Sequence, residues 1–335
     1  MNIIQPIYAV LIARVLAILG PNRLFPYIEY DMYFKLMRKL PKIINQFLLG
    51  ITAAAVIYYV FRNTRDIIQY HFNFSWYYII GGLLVFCIST IGYFIVWEKI
   101  INSLGIHPTF LKSGKAWSLS RLGRFVPGYI TFAILRLNIY NQYHKRSIAL
   151  ATVIEQITST IAACYIILIS IIMSANLIPI QIKWGAIISS IFLLIILWPP
   201  LLKQITTIFL RLLKKDPIDI LPSYRNIIVF IGAYMINCLV SGFAFYLILR
   251  ALSPVGIENF FNITGAYFAA GLLGLFAPFA PAGIGVFEGA LFLILPVFIP
   301  KPIAIVGTIL VRIIMILGEM MIAGIFVIIG RNTAK

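Results

Sequence analysis

The sequence predicts an all-α, polytopic bundle of transmembrane helices, about seven spans together with two re-entrant or broken helices. Three observations carry the prediction. The chain of 335 residues is 61% hydrophobic and only 11% charged, where a soluble domain has about 25% charge. Its mean hydropathy is +0.99, too apolar for a surface kept in water and suited to one kept in lipid. The basic residues, 27 against 10 acidic ones, gather in short segments between apolar runs.

The chain opens on an apolar stretch from Ile7 to Leu19, interrupted by Arg14. At about 1.5 Å per residue it spans roughly 20 Å, short of a hydrocarbon core of about 30 Å. It has no basic leader or cleavage site, so an interfacial helix is expected rather than a removed signal peptide. Arg23, Lys35, Arg38, Lys39 and Lys42 follow among aromatic residues. Residues 1–42 thus read as a basic, amphipathic extension on the membrane surface, and 43–330 as the membrane domain.

Within that domain the expected spans are 43–61, 76–97, 148–173, 184–202, 226–249, 261–279 and 303–329. Trp76, Trp97, Trp184 and Trp198 stand near span ends, where indole rings favour the headgroup zone. The stretches 116–139 and 280–299 are apolar but not plain spans. The first carries Arg121, Arg124, Pro127, Gly128 and Arg136; the second begins Ala280-Pro281-Ala282-Gly283-Ile284-Gly285. Proline removes a backbone donor and glycine loosens the chain, so both are expected to be re-entrant half-helices.

Loop charge sets the orientation. The N-terminal region, 98–147 and 203–225 are rich in Lys and Arg, while 62–75, 174–183 and 250–260 hold few. This puts the N-terminus in the cytoplasm. The net charge of +17 is therefore read as cytoplasmic retention of basic residues, with anionic headgroups as a secondary cause, and not as a nucleic-acid surface. Cys87, Cys164 and Cys238 lie inside apolar runs and read as small buried hydrophobes. His71, His107 and His144 lack ligand spacing. No metal site or cofactor is expected, and Gly283-Ile284-Gly285 is no dinucleotide fingerprint, since no βαβ unit surrounds it.

The two halves, 43–173 and 226–329, share a pattern: two spans, a segment broken by Pro and Gly, then a span with an ionisable residue. The first half has Arg124 to Gly128 followed by Glu155; the second has Pro278 to Gly285 followed by Arg312 and Glu319. Broken segments in corresponding positions point to a transporter's substrate site. A half-helix that starts in the membrane offers free N–H groups and a positive dipole end, an anion site for which a lipid phosphate is the natural ligand. The span count makes the halves parallel; one further crossing makes them inverted.

Charges at membrane depth need a cavity or a partner. Thr152, Glu155, Gln156 and Ser159 follow helical spacing and form a polar stripe. Arg312 and Glu319 lie roughly 10 Å apart along one helix face, too far to pair. Glu288 and Glu155 are candidate partners for Arg312, and Arg121, Arg124 or Arg136 for the carboxylates. Glu288 also suits the first turn of a helix. Structural ion pairs and substrate or proton contacts are both open for this set. Ala266, Ala270 and Gly274 make a small-xxx-small packing stripe.

Two of these segments resemble a known family. Arg121-Leu122-Gly123-Arg124-Phe125-Val126-Pro127-Gly128 and Pro281-Ala282-Gly283-Ile284-Gly285-Val286-Phe287-Glu288-Gly289 are similar to the two signatures of the lysylphosphatidylglycerol synthase transmembrane-region family, over approximately 43–330. The resemblance implies a multi-pass protein of a prokaryotic plasma membrane that moves a phospholipid or lipid-linked substrate between leaflets. The candidate substrate-binding set is Arg121, Arg124, Pro127, Gly128, Arg136, Glu155, Pro281, Gly283, Gly285, Glu288, Arg312 and Glu319. Two-domain relatives append a soluble aminoacyl-transferase domain, and this sequence ends at Lys335. Lysyl transfer is therefore not expected, and no catalytic constellation is found. A membrane-embedded transferase and a scaffold in lipid or glycolipid synthesis are the alternatives. A lipid-synthesising enzyme and a second copy of the chain stay open as partners.

Overall fold

The computed structural model describes residues 42–125, 131–140, 143–174, 179–185, 187–188, 222–277 and 280–332. The N-terminal extension, Pro127 and Gly128, nearly all of the span expected at 184–202 and the basic segment 203–221 lie outside these. The described residues form helices and turns with no strand. We label the α-helices α1 (Lys42–Arg62), α2 (Thr64–Gln69), α3 (Trp76–Ser103), α4 (Phe110–Leu122), α5 (Thr131–Ile139), α6 (Lys145–Met173), α7 (Tyr224–Arg250), α8 (Phe260–Leu275), α9 (Val286–Ile294) and α10 (Lys301–Asn332).

Four of them, α3, α6, α7 and α10, are long and apolar enough to cross a membrane, and with these the chain is a multi-pass membrane protein. Helices α3 and α7 form an antiparallel central pair. Gly82 meets Ile248 near one end. Ser89 and Ser241 share a 2.6 Å hydrogen bond midway, and the Tyr93 and Tyr234 rings lie 5.5 Å apart further along. Asn73 and Ser75 donate their N–H groups to Leu252 and Ala251 at 3.0 and 2.9 Å, which ties the start of α3 to the end of α7. Helix α10 runs alongside α3 in the same direction, with Gly318 against Phe86 and Phe326 against Phe94.

The two interrupted segments are helical hairpins that enter this frame from opposite ends. In the first, α4 starts where α3 finishes and runs antiparallel to α10, from Gly114 beside Phe326 to Arg121 beside Glu319. A 3-10 turn, Gly123–Phe125, ends it. Helix α5 doubles back, so that Tyr140 reaches Ser113 at 2.7 Å. In the second hairpin α8 packs on α6, with Gly265 against Ser170. A 3-10 turn, Pro281–Gly283, follows, and α9 returns along α8 with Phe287 5.7 Å from Tyr267, ring to ring. The two turns touch each other at the middle of the bundle.

This corrects the expected boundaries. The stretch 261–279 is not a full span: α8 has 16 residues, about 24 Å, less than a hydrocarbon core of about 30 Å. With 280–299 it makes one hairpin, which begins and ends at the same end of the bundle. The first hairpin is wider than 116–139, since α4 begins at Phe110. Arg121, Arg124 and Arg136, which the sequence reading puts on this segment, face the bundle interior. Trp76 and Trp184 are exposed, but Trp97 is fully buried.

The second turn depends on glycine. Ala282 has φ 49° and Gly283 φ 68°, and a Cβ on Gly283 would stand 2.7 Å from the Gly274 Cα. Of the small-residue stripe, Ala266 and Ala270 are buried, while Gly274 lets the backbone turn lie against α8. Gly283→Ala is expected to destabilise the protein by about 1–3 kcal/mol through left-handed strain and this clash. Gly289→Ala, where a Cβ meets nothing within 4 Å, should leave the detergent-solubilised melting temperature level or slightly higher. Equal losses in the two variants would mean that the turn is not the constrained element.

Candidate functional site

The hairpin turns and the helices around them line a cavity of about 280 Å³. Its polar lining is Arg121, Arg124, Arg136, Arg312, Glu155 and Glu319, with Ser89, Tyr93, Gln156, Ser159 and Tyr234 among the neutral groups. These residues come from both hairpins and from α3, α6, α7 and α10, so the site exists only in the folded bundle.

Each arginine has a carboxylate. Arg121 Nη2 and Arg124 Nη2 both donate to Glu319 Oε1, at 3.1 and 2.6 Å. Their position follows from the end of α4: Arg121 is in its last turn and Arg124 in the 3-10 turn beyond it, both facing α10. The Arg121 guanidinium also lies 4.9 Å over the Trp117 ring, a face that attracts cations. Arg136, 1% exposed, pairs with Glu155 Oε2 and donates from Nε to Ser120 Oγ at 3.2 Å. It stacks 4.0 Å from the Trp97 ring. Trp117 Nε1 donates to the other Glu155 oxygen at 2.9 Å. Arg312 donates from Nε to Glu288 Oε1 at 2.5 Å and from Nη1 to the Ala282 carbonyl at 3.2 Å.

The electrostatics are uneven. Glu155 and Glu288 each face one guanidinium, whereas Glu319 serves two. Several atoms also lack a partner among the described residues: Arg121 Nε, Arg124 Nε, Arg312 Nη2, the Tyr234 hydroxyl and Glu319 Oε2, all buried. Buried polar atoms are normally bonded. These five belong to residues on one cavity and are donors but for Glu319 Oε2, an acceptor, and the hydroxyl, which can do both; Glu98 Oε1 and Asn262 Oδ1 are also buried and unpaired among the described residues, away from the cavity. Four guanidiniums against three carboxylates leave the site with net positive charge, suited to an anion.

Of the sequence candidates, Arg121, Arg124, Arg136, Glu155, Gly283, Arg312 and Glu319 line the cavity. Pro281, Gly285 and Glu288 stand behind it, and Pro127 and Gly128 lie outside the described residues. At the start of α9 one amide is already engaged. Glu288 Oε2 takes the Gly285 N–H at 2.6 Å, and a Cβ on Gly285 would meet Thr52 of α1 at 2.8 Å. Thr152 leaves the polar stripe: it is buried and donates to its own helix, to the Ile148 carbonyl at 2.8 Å. Thr160 takes a place in the lining instead. Tyr93, Trp117, Ser120 and Tyr234 are absent from the sequence reading, and Trp97 entered it only as a residue near a span end. Trp117 and Ser120 lie a few residues before the first arginine motif, and that proximity was the one available signal for them.

Removing one member of a buried pair leaves an uncompensated charge and costs about 3–5 kcal/mol, while replacing both members by apolar groups costs far less. Arg136→Met is therefore expected to lower stability strongly, and adding Glu155→Leu to recover most of the loss. Thermal unfolding of the four proteins in this double-mutant cycle measures the coupling; additive losses would contradict the pairing.

A search of curated proteins finds no match. A scan against protein families matches residues 46–323 to the family described as lysylphosphatidylglycerol synthase TM region. That stretch runs from α1 into α10 and takes in both hairpins and every charged residue of the cavity. The chain belongs to the lysylphosphatidylglycerol synthase transmembrane-region family.

Proposed function

We propose that the protein translocates a phospholipid or lipid-linked substrate between leaflets, holding the anionic headgroup in the central cavity while the acyl chains stay in lipid. The observation that carries this reading is the meeting of two helix breaks at one positively charged cavity inside an apolar bundle. Arg121 and Arg124 are the headgroup anchors: both carry an unpaired Nε and both line the cavity. Arg312 adds a third donor, and Tyr234 a neutral one. Family membership supports a role in lipid synthesis or transport.

The hairpins are read as re-entrant, dipping from opposite faces of the membrane. The end that holds Lys99, Lys112, Lys115 and Lys145 is assigned to the cytoplasm. The halves are read as an inverted repeat rather than a parallel one, in which α3 to α6 correspond to α7 to α10. Its support is in the packing: α4 lies on α10 as α8 lies on α6, and α5 meets α6 as α9 meets α10. The counterparts α3 and α7 are antiparallel, so the relating axis lies across the helices, in the membrane plane. The Arg136–Glu155 pair joins α5 to α6 and the Glu288–Arg312 pair joins α9 to α10, with the signs exchanged. Inverted repeats around a midplane site are a common basis for alternating access.

Reconstitution tests this. Liposomes of phosphatidylglycerol and phosphatidylethanolamine carrying headgroup-accessible fluorescent phosphatidylglycerol, bleached from outside with dithionite, should show protein-dependent loss of the protected inner-leaflet signal. Arg124→Gln should slow exchange roughly tenfold or more, since a hydrogen bond to a charged group is worth about 1.5–3 kcal/mol. Exchange equal to that of empty liposomes with every phospholipid offered would overturn the proposal. A new lipid species on chromatography would replace it with a transferase.

A further inference from the structure

Glu319 differs from the other two carboxylates at the site. Glu155 keeps partners on both oxygens, Arg136 and Trp117, and so does Glu288, with Arg312 and the Gly285 N–H. Glu319 has one oxygen between Arg121 and Arg124 and one buried oxygen with no partner among the described residues. Its side chain is 2% exposed. It therefore occupies guanidinium donors that a substrate anion would take, and among the described residues it has no other partner to fall back on.

We propose that Glu319 is a resident stand-in for the substrate's anion, and that an anion binding to Arg121 and Arg124 displaces it and obliges it to take up one proton. The inference rests on the reading of the cavity as an anion site. The balance is simple. Two guanidiniums and one carboxylate carry one net positive charge. A monoanion that takes both guanidiniums leaves Glu319 as a buried carboxylate without a donor, a state that low-dielectric surroundings penalise heavily. Its carboxylate then accepts a proton from the aqueous phase, –COO⁻ becoming –COOH with no other bond made or broken, and the net charge returns to one positive. Release of the anion reverses both steps. Substrate binding and proton binding are thereby linked, so a proton gradient can bias the direction of lipid movement.

The groups facing Glu319 do not supply the proton site themselves. Arg121 and Arg124 on the first hairpin and Arg312 on α10 are cations throughout. Tyr267 of α8 bonds to Met315 Sδ. On α3, Tyr93 bonds to Cys238 Sγ, and Cys87 lies beside Gly318. Across the cavity, Glu155 of α6 keeps its own guanidinium.

The test is calorimetric binding of dihexanoyl phosphatidylglycerol, below its micelle concentration, to the full chain in nonionic detergent. Its phosphodiester stays a monoanion between about pH 5.5 and 8, where phosphodiesters do not titrate, so any pH dependence belongs to the protein. Titrations in two buffers of different ionisation enthalpy count protons. The expected result is uptake of about one proton per lipid bound, with affinity falling about tenfold per pH unit. Glu319→Gln should bind at least as tightly, with uptake near zero and a flat pH profile. Binding without proton uptake in the wild type overturns the coupling and leaves the anion site standing. Uptake that persists in Glu319→Gln assigns the proton elsewhere and overturns it too. Absence of binding at every pH overturns both the coupling and the anion reading. The wild-type measurement decides the matter even if the variant fails to fold.

Discussion

Four guanidiniums held at the centre of an apolar bundle need negative charge at the same depth. Taking a charge out of water costs several kcal/mol even after relaxation, and only a close, well-bonded partner returns it. This requirement decides which helices come together. Arg121 and Arg124 bring the tip of the first hairpin to Glu319 on α10, Arg136 ties α5 to Glu155 on α6, and Arg312 holds α10 against Glu288 and the second turn. Such pairs add little net stability compared with apolar packing. They are geometrically strict, because any arrangement that separates them is penalised.

The broken helices follow from the same need. A continuous helix satisfies its own backbone and holds its side chains on a cylinder. Stopping α4 at Leu122 and α8 at Leu275 lets two chain reversals meet in the interior and leaves a cavity where a through-going helix would have filled the space. In the second, Glu288 takes the Gly285 amide, Arg312 takes the Ala282 carbonyl, and Gly283 lets the turn lie against Gly274. Side-chain donors left without a partner among the described residues include the Nε atoms of Arg121 and Arg124.

Much of this was legible beforehand, and the misses have common causes. Both breaks were readable because Pro and Gly in apolar sequence have few other uses, and the charged residues because membrane-depth charge is costly. The span at 261–279 was misread because hydropathy does not distinguish a crossing from one arm of a hairpin; both are coated with apolar neighbours. Trp97 was placed at the headgroups on the statistics of indole, yet it lies under Arg136, where the ring face serves a buried cation. Thr152 fell out of its stripe because it is buried against neighbouring helices and not on the cavity, with its hydroxyl bonded to its own helix, a placement periodicity does not register.

By itself the sequence determined that the chain lives in a membrane, that its structure is helical, where two helices break, and which ionisable residues are buried. Each of these is a property of composition and local order. Only the tertiary structure decided which carboxylate answers which arginine, that the two breaks touch, that α3 and α7 run antiparallel, and that Glu319 is shared by two cations. Those are relations between residues far apart in the chain. They are chosen by the joint demand that every interior charge be paired and every long apolar face be covered, a condition that no single segment can meet alone.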